Sequence, residues 1–204
     1  MKTYKAAIVG CGSRAADHIE AYDHIENASV VACCDLKEDM RRAVAGKYGL
    51  TDYFRLDDMI LRERPDIVHL VTWPDVRLAL MRQVSDLNVP LCVVEKPVAT
   101  RVDDWRMLGE LERNSSTNFA VSHQVRWQKD LVKCQEAMKS GVLGDALFVE
   151  MTAGMNIAGQ GTHTLHYGRS LIGDPEVVSV YGQASGWDAE DGGHPAPLCS
   201  EAYL

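Results

Sequence analysis

The chain has 204 residues, of which 46% are hydrophobic and 25% charged, a composition that excludes intrinsic disorder and allows one domain of ordinary size plus a smaller unit. A formal net charge of −8, with the acids spread along the chain, argues against nucleic acid and anionic membrane surfaces as partners. No apolar run approaches the ~20 residues that span a bilayer, and the N-terminus lacks a secretory pattern, so a cytoplasmic protein is expected.

In chain order, apolar runs alternate with amphipathic stretches up to about residue 120, the pattern of βαβ units on a parallel sheet. The runs Lys5 to Val9, Ser29 to Cys34, Asp66 to Val71, Leu91 to Val94 and Asn118 to Ser122 predict strands. Between them, helices are predicted around Ala15, Ile19 and Tyr22, over Lys37 to Tyr48 with Gly49 as the stop, and over Val76 to Asp86 after Pro74. Another is expected after Thr100, whose hydroxyl could cap it, running to about Glu112. The periodicity changes near His123, which divides the chain into a domain over 1–122 and a partial α+β domain over 123–204. There, Gln128 to Lys139 and Thr162 to Leu171 read as helices, and Ala146 to Thr152 and Val177 to Tyr181 as strands. Gly, Pro, Ser and acids dominate from Gly182 onward, and no regular structure is expected there.

The chemistry begins in the loop after the first strand. Gly10-Cys11-Gly12-Ser13-Arg14-Ala15 is a GxGxxA variant. Gly10 permits a sharp turn, Gly12 lets a diphosphate approach the backbone, and Ala15 allows close helix packing, so phosphates meet free amides at a helix start. Asp35 ends the second strand, where a carboxylate takes hydrogen bonds from an adenosine ribose. It also repels the 2′-phosphate of NADP, which favours NAD; Arg14 and Lys37 are near enough in sequence to leave NADP possible. Ligands of open parallel sheets sit beyond the carboxyl ends of the strands. Thr72-Trp73-Pro74 and Glu95-Lys96-Pro97 occupy two such ends, and they join the candidate cofactor set. The six cysteines show no CxxC spacing and fit a reducing compartment better than a disulfide framework or zinc site. His69 interrupts an apolar strand and reads as a satisfied core residue; His18, His24, His123 and His194 support no specific role.

Together, the Gly10 to Ala15 loop, Asp35, Glu95-Lys96-Pro97, and Gly161-Thr162-His163 before Leu171-Ile172-Gly173 resemble the glucose-fructose oxidoreductase, inositol dehydrogenase and rhizopine-catabolism family (Gfo/Idh/MocA), from Lys5 to about Gly182. The resemblance implies a doubly wound Rossmann domain, a second α+β domain, and NAD(P)-dependent oxidation of a sugar, polyol or related hydroxyl compound. It implies Lys96 and His163 as catalytic residues, with His163 as base and Lys96 stabilising the developing oxyanion. Where relatives carry aspartates around this histidine the chain has Gly159 and His166, and around the fourth-strand turn it offers Pro74 and Arg77 in place of Asn and His. His163 and His166 share a helix face, but spacing identifies no third ligand, so no metal is expected.

Relatives continue through further strands that complete a sheet and often form a subunit interface, so the chain reads as truncated and its homo-oligomerisation is in doubt. The alternatives are a dinucleotide-binding remnant without catalysis, or redox-neutral elimination or glycoside cleavage through transient oxidation.

Overall fold

The computed structural model describes residues 2–186, 190–191, 194–197 and 199–204. The chain divides into two compact units, Met1–Ser122 and His123–Leu204.

The first unit is a six-stranded parallel sheet in the order β3-β2-β1-β4-β5-β6. Its strands are β1 (Tyr4–Val9), β2 (Ala28–Cys34), β3 (Thr51–Tyr53), β4 (Ile67–Leu70), β5 (Leu91–Glu95) and β6 (Asn118–Ser122). The helices are α1 (Ala15–Glu20), extended by a 3-10 turn at Ala21–His24, then α2 (Glu38–Tyr48), α3 (Leu56–Glu63), α4 (Pro74–Asp86) and α5 (Val102–Asn114). Successive strand residues face opposite ways, and β1 shows the result. Ile8 packs with Ala15 and Ile19 of α1 and Ala45 of α2. Its neighbours Ala7 and Val9 join Leu56, Met59 and Ile60 of α3, Met81 and Val84 of α4, and Leu108 of α5 on the other face. Both faces of the sheet are therefore covered, which is why its central strands are mainly apolar, with His69 of β4 and Glu95 of β5 as buried exceptions. The fold is doubly wound, with the strand order reversing between β1 and β4.

Two elements lie where the sequence showed none: β3, a three-residue edge strand, and α3, whose Leu56, Met59 and Ile60 recur at helical spacing. Helix α5 begins at Val102 with Arg101 at its N-cap and no capping side chain, so Thr100 does not cap it. Gly49 ends α2 in the left-handed region at φ 68°.

In the second unit a 3-10 turn, Gln124–Trp127, precedes α6 (Lys129–Lys139). A single π-helical turn, Ile157–Gly161, runs directly into α7 (Thr162–Leu171). Asn156 secures its start by accepting the Gly159 amide at 2.8 Å, and Gln135 of α6 donates to Ser170 Oγ of α7 at 3.0 Å. The strand expected over Ala146 to Thr152 does not form: the segment has no regular structure, and Leu147 is 96% exposed. Alternation of apolar and polar residues specifies a face, but a strand also needs a hydrogen-bonding neighbour, and none flanks it among the described residues. The strand expected over Val177 to Tyr181 is displaced to β7 (Tyr181–Ser185), which pairs antiparallel with β10 (Cys199–Tyr203). Two-residue strands, β8 (Glu190–Asp191) and β9 (His194–Pro195), pair between them. Regular structure thus exists after Gly182, built on non-local pairing between exposed strands that carry no apolar pattern.

Candidate functional site

The register of the sheet assembles the site. Val9 pairs with Cys34 and with Leu70, and Leu70 pairs with Val94, so four strands end level. The next residues, Gly10, Asp35, Val71 and Glu95, form the rim of one crevice at the carboxyl edge of the sheet.

Gly10 adopts φ +92°, and a Cβ built on it would lie 2.4 Å from the Val71 carbonyl oxygen. Only glycine fits there. At Gly12 a Cβ would meet nothing within 4 Å, so the bare backbone faces open space. Ser13 and Arg14 are exposed on the same turn, and Ala15 is fully buried against β1. Asp35 reaches back across the turn: its Oδ2 accepts the Cys11 amide at 2.7 Å and its Oδ1 the Lys37 amide at 2.8 Å. Each oxygen keeps a lone pair for a further donor. Thr72 Oγ1 is shielded from solvent and has no hydrogen-bond partner among the described residues. Trp73 is exposed at the N-cap of α4, and Pro74 fills the first turn, where its missing N–H is not needed. This rim fits a dinucleotide: a glycine cradle open on one side, an acceptor with spare capacity, and a buried hydroxyl still to be satisfied.

Arg77 of α4, noted in the sequence only as a departure at the fourth-strand turn, is a member of this site. It is 2% exposed, and its guanidinium donates to the carbonyls of Thr72, Glu95 and Pro97, tying the end of β4 to the end of β5. Burial pushes it down to about 10, still far above neutral pH. Beside it, Lys96 is half-buried. Burial lowers its pKa, the Glu95 carboxylate opposes that, and Arg14 and Arg77 add to the lowering.

Glu95 points into a polar chain beneath the rim. Its Oε1 lies 2.9 Å from His18 Nε2 and 3.9 Å from Arg14 Nη2. His18 Nδ1 is 3.0 Å from His69 Nδ1, and His69 Nε2 is 2.8 Å from the Tyr22 hydroxyl. His69 is thus satisfied in the core, as expected, but by partners from α1 and the turn after it. The one signal for this chain in the sequence is the pair of polar residues, His18 and His69, at positions where the pattern asks for apolar ones.

In the second unit His163 sits in the first turn of α7, 6% exposed, and lines a cavity of about 460 Å³ together with Val125, Met151, Gln160, Thr164 and Tyr167. The His123 ring meets His163 edge-on at 5.2 Å between centroids and His166 at 4.6 Å. Arg126 donates to His166 Nε2 at 2.9 Å and pairs with Asp174 at 2.6 Å. Burial, then the Arg126 charge, lowers the His166 pKa. Among the described residues, no three His, Cys, Asp or Glu side chains are placed to hold a metal ion, and no helix is long and apolar enough to cross a membrane.

The strand order and the glycine turn define the first unit as a dinucleotide-binding Rossmann fold. The family model for the oxidoreductase family with an NAD-binding Rossmann fold, Gfo/Idh/MocA, matches residues 4–123, and the chain belongs to that family. It is 26% identical to a D-apiose dehydrogenase of Paraburkholderia graminis over 145 residues, covering 71% of this chain and 38% of that protein. It is 28% identical to an inositol 2-dehydrogenase of Salmonella typhimurium over 175 residues, covering 83% of this chain and 48% of that protein. The chain thus spans about half the length of the curated relatives it matches. Among solved structures it resembles an Agrobacterium radiobacter oxidoreductase in complex with NAD+, L-tartaric acid and magnesium. That likeness has a TM-score of 0.82 at 19% identity, covering 98% of this chain and 62% of the other, and is one of fold.

Proposed function

We propose that the chain binds NAD along the rim of its first unit and serves oxidation of a hydroxyl group on a sugar, polyol or related small molecule. The observation that carries this reading is the alignment, on one sheet edge, of the Gly10 to Ala15 turn, the Asp35 carboxylate, Thr72 and Lys96 in a chain of this family. Bound NAD supplies the acceptor for the hydrogen and electron pair that leave the carbinol carbon.

The residues do the rest. The amides of the turn hold the diphosphate, and Asp35 accepts from the ribose hydroxyls and disfavours a 2′-phosphate. Lys96 donates to the hydroxyl oxygen and stabilises the negative charge that develops as its proton departs. An imidazole nitrogen of His163 takes that proton. The sugar and polyol dehydrogenases among the relatives support the substrate class, and the net charge of −8 supports a small neutral hydroxyl compound over nucleic acid. Six free cysteines, four of them buried, support a reducing, cytoplasmic setting.

The test is calorimetric titration with NAD and NADP, followed by a screen of sugars and polyols for reduced-nicotinamide absorbance. Tighter binding of NAD than of NADP, with turnover that Lys96→Ala and His163→Ala depress while NAD affinity persists, is the expected outcome. Folded protein without affinity for either dinucleotide refutes the whole reading. Cofactor binding without turnover removes its catalytic half.

A further inference from the structure

We propose that Tyr22, His69 and His18 form a one-way hydrogen-bond chain that ends on Glu95 and holds its carboxylate as an anion beside Lys96. This makes His18 and His69 positioning residues for the crevice. The chain itself follows from contacts within the first unit; only its consequence for Lys96 rests on the proposed function.

Direction follows from counting protons. An ionised carboxylate can only accept, so across the 2.9 Å contact His18 Nε2 carries a hydrogen and donates to Glu95 Oε1. A neutral imidazole has one N–H, so His18 Nδ1 is then an acceptor. Its partner at 3.0 Å, His69 Nδ1, must be the donor. His69 Nε2 is left as an acceptor, and the Tyr22 hydroxyl donates to it at 2.8 Å. All three contacts are satisfied with both rings neutral.

Reversing the chain requires a proton on Glu95, or a second one on His18. The surroundings oppose the first. Burial pushes the Glu95 carboxyl up, but the hydrogen bonds from His18 and Ser122 and nearby positive charge, that of Arg14 included, outweigh it, and the net shift is down. Burial also pushes His69 down to about 3 and Tyr22 up to about 12, so neither of these two groups changes protonation near neutral pH.

The polarity matters because Lys96 responds to opposed neighbours: Glu95 favours its charge, while Arg14 and Arg77 disfavour it. His18 is the Glu95 partner at 2.9 Å, whereas Arg14 stands at 3.9 Å on a side chain half exposed to solvent. Without the His18 donor the buried carboxylate keeps only Ser122 and the more distant Arg14, and it shifts towards its neutral form. Lys96 then loses the anion that keeps it protonated.

Two measurements on the full chain test this, and neither needs turnover. Imidazole 15N shifts of the wild-type protein at pH 8 should show opposite tautomers, with hydrogen on Nδ1 of His69 and Nε2 of His18. Hydrogen on Nε2 of His69 overturns the proposal. Separately, acylation of Lys96 at pH 8, followed by peptide mass spectrometry and normalised to the exposed Lys133, should run about threefold or more faster in His18→Leu and Glu95→Gln. His18→Gln, whose amide can still donate to Glu95, should restore the wild-type rate. Unchanged labelling in Glu95→Gln, or equal acceleration in His18→Gln and His18→Leu, overturns it as well. Should His18→Leu fail to fold, the 15N shifts and Glu95→Gln still decide. Failure of NAD to bind, with the tautomers as stated, would count against the proposed function alone.

Discussion

Gly10 and Gly12 stand two residues apart in one turn, and the structure gives them different reasons to be glycine. Alanine at Gly10 would hold φ +92° and place a methyl carbon 2.4 Å from the Val71 carbonyl. The left-handed conformation costs roughly 1–2 kcal/mol for a residue with a Cβ. Relieving the overlap displaces backbone at the ends of β1 and β4, where Gly10 N–H donates to Cys34 O and Val71 N–H to Val9 O, both at 2.8 Å. With overpacking at roughly 1–3 kcal/mol and a weakened hydrogen bond at about 1, the total is about 3–6 kcal/mol. At Gly12 the methyl meets nothing within 4 Å and φ is not positive, so alanine leaves stability unchanged or slightly raised. That methyl would occupy the open side of the turn, where the proposed diphosphate approaches. Urea unfolding and NAD calorimetry separate the cases. Gly10→Ala should lower the unfolding free energy by about 3 kcal/mol or more. Gly12→Ala should unfold like the wild type and bind NAD at least about tenfold more weakly, roughly 1.4 kcal/mol. Wild-type NAD affinity in Gly12→Ala would refute the assignment of the open side to the cofactor.

Three further outcomes follow from neighbouring groups. His69 has a folded pKa of about 3 against roughly 6.5 in an unfolded chain. The unfolded state therefore takes up the extra proton first, and stability is lost as pH falls below about 6.5 towards 3. Between pH 7 and pH 5 the loss from this residue is about 2 kcal/mol, and urea curves of His69→Gln should lack it. Arg77→Ala should destabilise by about 3 kcal/mol or more, because the carbonyls of Thr72, Glu95 and Pro97 lose their common donor. Arg77→Lys should recover less than half of that in the same assay, since an ammonium lacks the planar fork that serves both strand ends. Asp35→Ser should weaken NAD binding about tenfold and shrink the preference over NADP, measured by paired titrations; an unchanged ratio would remove Asp35 from cofactor selection.

The central strands of the first unit are legible in sequence because each is buried on both faces, so Ala6 to Val9 and Ala32 to Cys34 are apolar without interruption. Strand β3 is not, because Thr51-Asp52-Tyr53 is a short edge with one neighbour and no pattern to read. Helix α3 carries the spacing, in Leu56, Met59 and Ile60, but the acids that surround those residues mask it. In the second unit the limit is physical. The 146–152 segment has strand-like alternation without a partner, whereas β7 and β10 have partners without alternation. Pairing across more than a dozen residues leaves no local signature.

The candidate site divides along the same line. Gly10, Asp35 and the Glu95-Lys96-Pro97 run could be found because backbone shape or strand termination demands them where they stand. The roles of Arg77, His18 and His69 could not, since each shows in sequence only as a polar residue in a position where an apolar one would also complete a helix or strand. What distinguishes them is three-dimensional: every polar contact they make crosses to another element, Arg77 from α4 to the ends of β4 and β5, His18 from α1 to β4 and β5. A lone buried polar group is costly and a fully partnered one is not. Retaining three of them at one edge of an otherwise apolar sheet ties the strand ends to the helices that flank the crevice, and it fixes the electrostatic setting of Lys96 from below.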